Sequence, residues 1–151
     1  MPTETLKIVP PPAASQAYVL DEQPGFLLRV AMQRHTAIFG TRMVEGLTQT
    51  QFAALAKLYE VGPCSQNQLG RLICLDAATI KGVIDRLSKR KLVTVVADVH
   101  DRRRHAVAVT ARGRELTAAA LKMAQEITGE TLAPLSLEEQ MQLRRLLNRL
   151  R

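Results

Sequence analysis

Apolar residues recur every three or four positions along most of this chain, which is the period of an amphipathic α-helix. Together with residues that start and stop helices, this pattern predicts helices over residues 24–45, 49–61, 66–73, 77–90, 111–131 and 137–150. Residues suited to N-caps stand before five of these segments: Thr48, Ser65, Asp76, Thr110 and Ser136. The chain is therefore expected to be mainly helical.

The hydrophobic period changes to two after Lys91. β-Branched residues alternate over Leu92–Ala97 and again over Arg104–Val109, and a polar, basic segment separates the two runs. This pattern predicts a β-hairpin. Two short helices followed by a hairpin are typical of a winged helix-turn-helix, so we expect a mainly α fold with a small β-hairpin wing, flanked by N- and C-terminal helices.

Length and composition favour one folded unit. The 151 residues are 46% hydrophobic and 23% charged, which is ordinary for a globular domain and excludes global disorder. No apolar run approaches the roughly 20 residues of a membrane helix, and the first residues lack the pattern of a secretory signal. We therefore expect a cytoplasmic protein with no membrane partner.

The cysteines and histidines do not fit a catalytic or metal site. Cys64 and Cys74 form no CxxC pair, and the three histidines belong to no catalytic motif such as HExxH. We therefore expect no metal and no cofactor, and an enzyme is the least favoured class of function.

The charge of the chain indicates a polyanionic partner. The net charge is +7, the pI is about 10.0, and the stretch Ser65–Arg104 alone holds nine basic and four acidic residues. All five aromatic residues lie within the first 59 positions, so the basic region has no rings on which unpaired bases could stack. Duplex DNA is therefore the expected partner.

The predicted helix over 77–90 has two different faces. One face is an apolar stripe that must pack on the core and consists of Ile80, Val83, Ile84 and Leu87. The opposite face carries small and basic residues: Ala78, Thr79, Lys81, Gly82, Arg86 and Lys89. Small residues let a helix approach base edges in a major groove, where Thr79 can contact a base and the cations can meet phosphates. We expect this face to bind DNA, with Ser65 and Gln66 at the preceding helix start as further contacts.

Three motifs together resemble those of the MarR-type winged-helix transcriptional regulators. They are the entry Leu47-Thr48-x-x-Gln51, the wing Asp101-Arg102-Arg103, and the stretch Val109-Thr110-x-x-Gly113. The resemblance covers about residues 21–151. It implies that Arg103 enters the minor groove, that Asp101 orients it through an ion pair, and that Arg102 or Arg104 meets phosphates. Many wings of this family have proline where this chain has Val99, which predicts a looser tip.

The resemblance also implies a homodimer in which the first helix and the last two helices of both chains interlock. The last predicted helix supports a dimer independently, because it has an apolar stripe of Leu143, Leu146, Leu147 and Leu150. Packing of this stripe within one chain is the alternative. The expected organisation is a flexible arm over 1–20, a first dimerisation helix over 21–47, a DNA-binding region over 48–110, and C-terminal dimerisation helices over 111–151.

The first predicted helix carries candidate effector-binding residues. Arg34, His35 and Arg42 fall within its apolar arc, where a cation needs a partner. An anionic effector could be that partner. The alternatives are a carboxylate of the second chain for either arginine and a backbone carbonyl for the histidine. Because nearby rings would suit an aromatic effector, the candidate ligand contacts are Arg34, His35, Phe39, Phe26 and Phe52.

The segment Leu20–Arg29 resembles the branch of the family that controls the breakdown of aromatic acids. That resemblance implies a repressor that releases its operator when an aromatic acid or its CoA thioester binds between the dimerisation helices and the reading heads.

Other functions fit parts of the same pattern. In a thiol-switched regulator, Cys64 or Cys74 would be oxidised, and the position of Cys64 near a helix N-terminus can lower a thiol pKa. A non-specific DNA-binding protein would share the charge distribution. The basic run Lys89–Lys91, taken alone, fits a solvated helix end equally well.

Overall fold

The computed structural model describes residues 7–11, 13 and 18–151. The chain divides into two units, Met1–Gln33 and Arg34–Arg151. Most of the predicted arm over residues 1–20 lies outside the described residues. None of the helices in the described part of the chain combines the length and apolar character needed to cross a bilayer.

The described chain contains six α-helices and one β-hairpin. They are α1 (Pro24–Arg42), α2 (Gln49–Val61), α3 (Gln66–Leu72), α4 (Ala77–Lys89), β1 (Val93–Ala97), β2 (His105–Val109), α5 (Ala111–Leu132) and α6 (Leu137–Arg149), with short 3₁₀ turns at Leu20–Glu22 and Val44–Gly46. This order confirms the predicted mainly α fold with a hairpin wing.

The first helix ends earlier than the sequence pattern predicted. Glu45 has a φ of 47° and a ψ of 28°, and Gly46 has a φ of 63°. Such left-handed values cannot continue a right-handed helix. Helix α1 already stops at Arg42, because Met43 has an extended backbone with a ψ of 136°, and the turn Val44–Gly46 leads into α2.

The predicted N-caps form as hydrogen-bonded caps. The Thr48 hydroxyl accepts the Gln51 amide hydrogen at 3.2 Å, and the Gln51 side-chain oxygen accepts the Thr48 amide hydrogen at 3.2 Å, which completes a capping box. Ser136 and Glu139 form a second box before α6. Single side-chain caps are formed by Ser65, Asp76 and Thr110. Each cap gives a partner to an amide that has none within its helix.

The core of the second unit joins α2, α3, α4, the hairpin and α5. Its largest fully buried apolar side chains are Leu55, Leu69, Ile80, Leu87, Leu92, Ile127 and Val83. The two strands pair antiparallel with Val95 opposite Val107, and Cys64 forms an additional bridge to Val107. The hairpin is thereby attached to the segment that precedes α3.

Helix α6 leaves its apolar side chains uncovered on the single chain. It has no buried residue, Leu137 is 80% exposed and Met141 67%, and Leu150, its C-cap residue, is 74% exposed. Of the predicted stripe, Leu143 is half-buried, whereas Leu146 and Leu147 are exposed. An exposed apolar helix face of this kind is a candidate association surface.

Candidate nucleic-acid interface and ligand cavity

Helices α3 and α4 are held in close contact at Gly70. A Cβ atom on this glycine would lie 3.1 Å from the Leu75 carbonyl oxygen and 3.2 Å from Cγ2 of Ile80. The connection between the helices contains Cys74, which has a left-handed φ of 58°. Close contact and a tight connection fix the angle at which α4 leaves α3, as a helix-turn-helix requires.

The two predicted faces of α4 are confirmed by burial. Ile80, Val83, Ile84 and Leu87 are at most 3% exposed. On the other face Gly82 is half-buried and the remaining predicted residues are exposed: Ala78, Thr79, Lys81, Arg86 and Lys89. The structure therefore brings the candidate DNA contacts of α4 onto one accessible surface.

Two side-chain arrangements on this surface were not predicted. The Lys81 ammonium lies 2.7 Å from a carboxylate oxygen of Asp85, and this contact lowers the pKa of Asp85. The Arg86 guanidinium folds back over Gly82, where a Cβ atom would lie 3.6 Å from its nitrogens. The spacing of four residues in both pairs is a signal that the sequence contains. Asp85 therefore lies on this surface and partly neutralises its charge.

The N-termini of α3 and α4 use their capping side chains internally. An Asp76 carboxylate oxygen accepts the Thr79 amide hydrogen at 2.7 Å, and this bond lowers the pKa of Asp76. The Ser65 hydroxyl accepts the Gln68 amide hydrogen at 3.1 Å, and Gln66 beside it is half-buried. The Thr79 amide therefore already has a hydrogen-bond partner within the protein. Thr79 as a whole is exposed to solvent.

The wing tip is closed by two aspartates. Asp98 Oδ1 accepts the amide hydrogens of His100 at 2.8 Å and Asp101 at 3.2 Å, and the His100 amide is the main reason that the pKa of Asp98 is lowered. Asp101 Oδ1 in turn accepts the Arg103 amide hydrogen at 3.0 Å. The residue pattern predicted a polar turn here but did not reveal this role of Asp98.

The expected ion pair between Asp101 and the Arg103 side chain is replaced by a different one. Asp101 Oδ2 lies 3.5 Å from Nε of Arg104, so its carboxylate holds Arg103 through the backbone and Arg104 through the side chain. The reason is local: the tip turns between Asp101 and Arg104, whose amide donates to the Asp101 carbonyl at 2.9 Å. Arg102 and Arg103 remain exposed.

A cavity of about 210 Å³ lies between the second half of α1, the start of α2, and α5. Its lining consists of His35, Phe39, Gln49, Phe52, Ala124, Ile127 and Thr128. The Phe39 ring is 6.1 Å from the His35 ring and 6.0 Å from the Phe52 ring, measured between centroids. The cavity thus combines aromatic walls with the polar groups of a histidine, an amide and a hydroxyl, which is the usual make-up of a small-molecule site.

Three of the five predicted ligand contacts line this cavity. They are His35, Phe39 and Phe52. Phe26 lies in the first unit, half-buried, with the Arg29 guanidinium 5.2 Å from its ring centroid. Gln49, Ala124, Ile127 and Thr128 were missed, because residues far apart in sequence are brought together only by packing.

Arg34, His35 and Arg42 of α1 each contact a residue of α5 in the same chain. The Arg34 guanidinium donates to the Glu130 carbonyl at 2.9 Å and does not line the cavity. Arg42 pairs with Glu130 and with Glu126, and these carboxylates raise its pKa. His35 Nδ1 lies 2.9 Å from the Thr131 hydroxyl. All three side chains thus contact α5 of the same chain, and the partner of His35 is a hydroxyl rather than the backbone carbonyl considered from the sequence.

The cysteines lie in different environments. Cys64 is buried, and burial raises the pKa of its thiol, which contradicts the expectation that a helix N-terminus lowers it. The N-cap position belongs to Ser65 instead. Cys74 is exposed. Because the thiolate is the reactive form, the environment of Cys64 disfavours oxidation there.

A helix-turn-helix with a basic second helix, followed by a basic two-stranded wing, defines a winged helix-turn-helix DNA-binding protein. Residues 47–105 match the MarR family. Similarity to individual proteins extends well beyond that segment, and the chain belongs to the MarR family of transcription regulators.

Three relatives illustrate how far the similarity reaches. The HTH-type transcriptional repressor NicR of Pseudomonas putida is 37% identical over 140 residues, which cover 92% of this chain and 89% of NicR. A probable transcriptional regulator from Pseudomonas aeruginosa has a crystal structure with 54% identity and a TM-score of 0.84, covering 88% of this chain and 100% of that one. BpsR of Bordetella bronchiseptica, whose DNA binding is regulated by 6-hydroxynicotinic acid, has 38% identity and a TM-score of 0.83, covering 89% and 96%.

Proposed function

We propose that this chain is a ligand-released transcriptional repressor that binds a pseudo-palindromic duplex DNA operator as a homodimer. The observation that carries the proposal is the exposed face of α4, which combines small residues with cations next to a basic wing. The similarity to NicR, which is named as a repressor, supports repression rather than activation. Two reading helices related by a two-fold axis would enter successive major grooves, with half-sites about one helical turn apart.

The proposed contacts divide into those that read bases and those that bind the backbone. Thr79 reads a base edge in the major groove and Arg103 enters the minor groove. The phosphate contacts come from Lys81, Arg86, Lys89, Arg102 and Arg104, with Ser65 and Gln66 at the start of α3. Lys81 can exchange its Asp85 partner for a phosphate, since an exposed ion pair contributes little stability.

The proposed dimer uses the helices at both ends of the chain. In the second unit, the exposed apolar residues of α6 form one such surface. In the first unit, Leu27, Leu28, Val30 and Met32 are each more than 40% exposed. Residues 21–47 and 111–151 are therefore proposed as dimerisation segments around the DNA-binding region 48–110.

The proposed effector is a single-ring aromatic acid bound in the cavity. Its ring would pack against Phe39 and Phe52, which line the cavity together. If the Thr131 hydroxyl donates to His35 Nδ1, the ring proton lies on Nε2, which can then donate to the effector carboxylate. The cavity volume of about 210 Å³ is below the roughly 300–1,000 Å³ of sites for drug-sized ligands, which favours a lone acid over a whole CoA thioester. The regulation of BpsR by 6-hydroxynicotinic acid supports this class of effector.

The test begins with selection of bound duplexes from a random-sequence library by the purified protein. The selected operator is then footprinted, and its release is measured with 6-hydroxynicotinate and with 6-hydroxynicotinamide, which keeps the ring but lacks the carboxylate charge. We expect two protected half-sites and release by the acid only. Enrichment of no sequence would contradict the proposed regulator and support a non-specific DNA-binding protein. Equal release by acid and amide would contradict the anion contact.

A further inference from the structure

The turn between α1 and α2 is joined to the end of α4 by a cluster of three charged residues. We propose that Glu45 is a positioning residue for DNA recognition: with Arg90 and Arg112 it fixes the C-terminal end of α4 relative to this turn. The inference rests on the proposed function, since α4 is taken as the reading helix.

The cluster is closed by four hydrogen bonds. Nη2 of Arg90 donates to the Glu45 carbonyl at 2.9 Å and to Glu45 Oε2 at 3.3 Å. Nη2 of Arg112 donates to the same Oε2 at 3.3 Å, and its Nη1 donates to the Arg90 carbonyl at 2.6 Å. Residues from three parts of the chain thereby hold one another in a ring of contacts.

The cluster contacts the residue that caps the C-terminus of α4. Arg90 is the C-cap of α4, and the carbonyls at a helix C-terminus have no partner within the helix. Arg112 gives the Arg90 carbonyl a donor and places a cation where the helix dipole favours one. The next residue but one, Leu92, is fully buried. The end of α4 is therefore fixed from two sides, a short distance from Arg86 and Lys89.

The cluster is also linked to the cavity through the turn between α1 and α2. His35 and Phe39 of α1 and Gln49 of α2 line the cavity. Glu45 lies in the turn between these two helices. Met43 and Leu47, on either side of Glu45, are buried. Glu45 itself has a left-handed φ of 47°, a strained value for a non-glycine residue that persists only when its surroundings hold it. A ligand that separates α1 from α2 would therefore move Glu45 and, through it, Arg90.

Two simpler explanations predict different behaviour. If Glu45 acted only as a negative charge near a basic surface, Glu45→Gln would tighten binding to every duplex. If the cluster only stabilised the fold, its loss would lower the melting temperature and leave sequence discrimination unchanged. A positioning role predicts weaker discrimination in spite of the lost negative charge.

The experiment compares two cluster variants with two matched controls. Glu45→Gln removes the carboxylate, and Arg112→Lys keeps the charge but cannot reach both partners with one ammonium. Glu60→Gln removes a carboxylate that pairs with Lys57 on the surface, and Arg114→Lys alters an arginine of α5 that stacks over Tyr59 instead. Dissociation constants are measured by fluorescence anisotropy for the selected operator and for a random duplex, at one salt concentration, after thermal melts show folded protein.

We expect each cluster variant to lower the ratio of random to operator dissociation constants about tenfold, with the double variant no worse than either single one. Both controls should keep the wild-type ratio. Wild-type discrimination in both cluster variants, or tighter binding of Glu45→Gln to both duplexes, would overturn the positioning role. A wild-type protein that prefers no duplex would instead overturn the proposed regulator itself.

Discussion

The backbone carbonyl oxygen of Leu92 occupies the space that a Cβ atom on Gly113 would need. Around this contact, the Thr110 amide donates to the Leu92 carbonyl at 3.0 Å, and the Thr110 hydroxyl accepts the Gly113 amide hydrogen at 3.0 Å. The start of α5 is therefore pressed against the start of the wing. The stretch Val109-Thr110-x-x-Gly113 has a structural reason, because only glycine permits this approach.

Gly113→Ala should destabilise the protein. The added methyl group would have to displace backbone, and such overpacking costs about 1–3 kcal/mol. Gly129→Ala is the matched control on the same helix: nothing lies within 4 Å of its Cβ position, so the better helix propensity should stabilise by about 0.5–1 kcal/mol. Urea denaturation of both variants checks the signs, and a Gly113→Ala protein at least as stable as Gly129→Ala would contradict the close approach.

The elements of this fold could be predicted because each is determined locally. The stripe Ile80, Val83, Ile84, Leu87 and the caps Thr48 and Asp76 act through neighbours within four residues, which a sequence displays. The cavity could be predicted only for its α1 side and Phe52, since Ala124 and Thr128 reach it through packing of α5. The Glu45 cluster joins residues up to 67 positions apart, so no spacing rule could reveal it. The end of α1 was misplaced because Met43 adopts an extended ψ of 136°, which its residue type does not signal.

Thr79→Ala and Lys89→Ala should weaken DNA binding in different ways. Loss of a base contact should relax discrimination at one base position by about 1–3 kcal/mol, whereas loss of a phosphate contact should weaken binding to all sequences alike. Lys89→Ala should also reduce the slope of log affinity against log salt by about one. Titrations against the operator, its single-base variants and a random duplex separate these effects. Equal losses on every duplex for both variants would contradict the division of roles.

Substituting two aspartates of the proposed DNA interface should change DNA affinity in opposite directions. Asp101→Ala removes the acceptor for the Arg103 amide and the partner of Arg104, so it should weaken operator binding although a negative charge is lost. Asp85→Ala frees Lys81 for phosphate and should tighten binding to random duplex. Arg103→Ala should weaken operator binding by about 1–3 kcal/mol, and this loss is the reference for the two aspartate variants. Tighter operator binding by Asp101→Ala would show that plain charge repulsion governs the wing tip.

His35→Phe and Arg34→Ala distinguish two possible anion contacts for the effector. His35 lines the cavity, whereas Arg34 is engaged with the Glu130 carbonyl. We expect His35→Phe to raise the 6-hydroxynicotinate concentration needed for half release about tenfold or more, because a charged hydrogen bond contributes about 1.5–3 kcal/mol. Operator affinity without effector should stay near wild type in both variants. If Arg34→Ala raised the effector concentration for half release and His35→Phe did not, Arg34 rather than His35 would be the residue that binds the effector carboxylate.

We expect the effector and the operator to oppose each other's binding to the protein. If the effector weakens operator binding about 100-fold, the differential affinity is roughly 2.7 kcal/mol, and linkage requires the operator to weaken effector binding by the same factor. The most direct measurement is the dissociation constant of 6-hydroxynicotinate, by calorimetry, for the free protein and for the operator-bound protein. We predict markedly weaker binding to the operator-bound protein. Equal dissociation constants in the two states would contradict release of the operator by the effector.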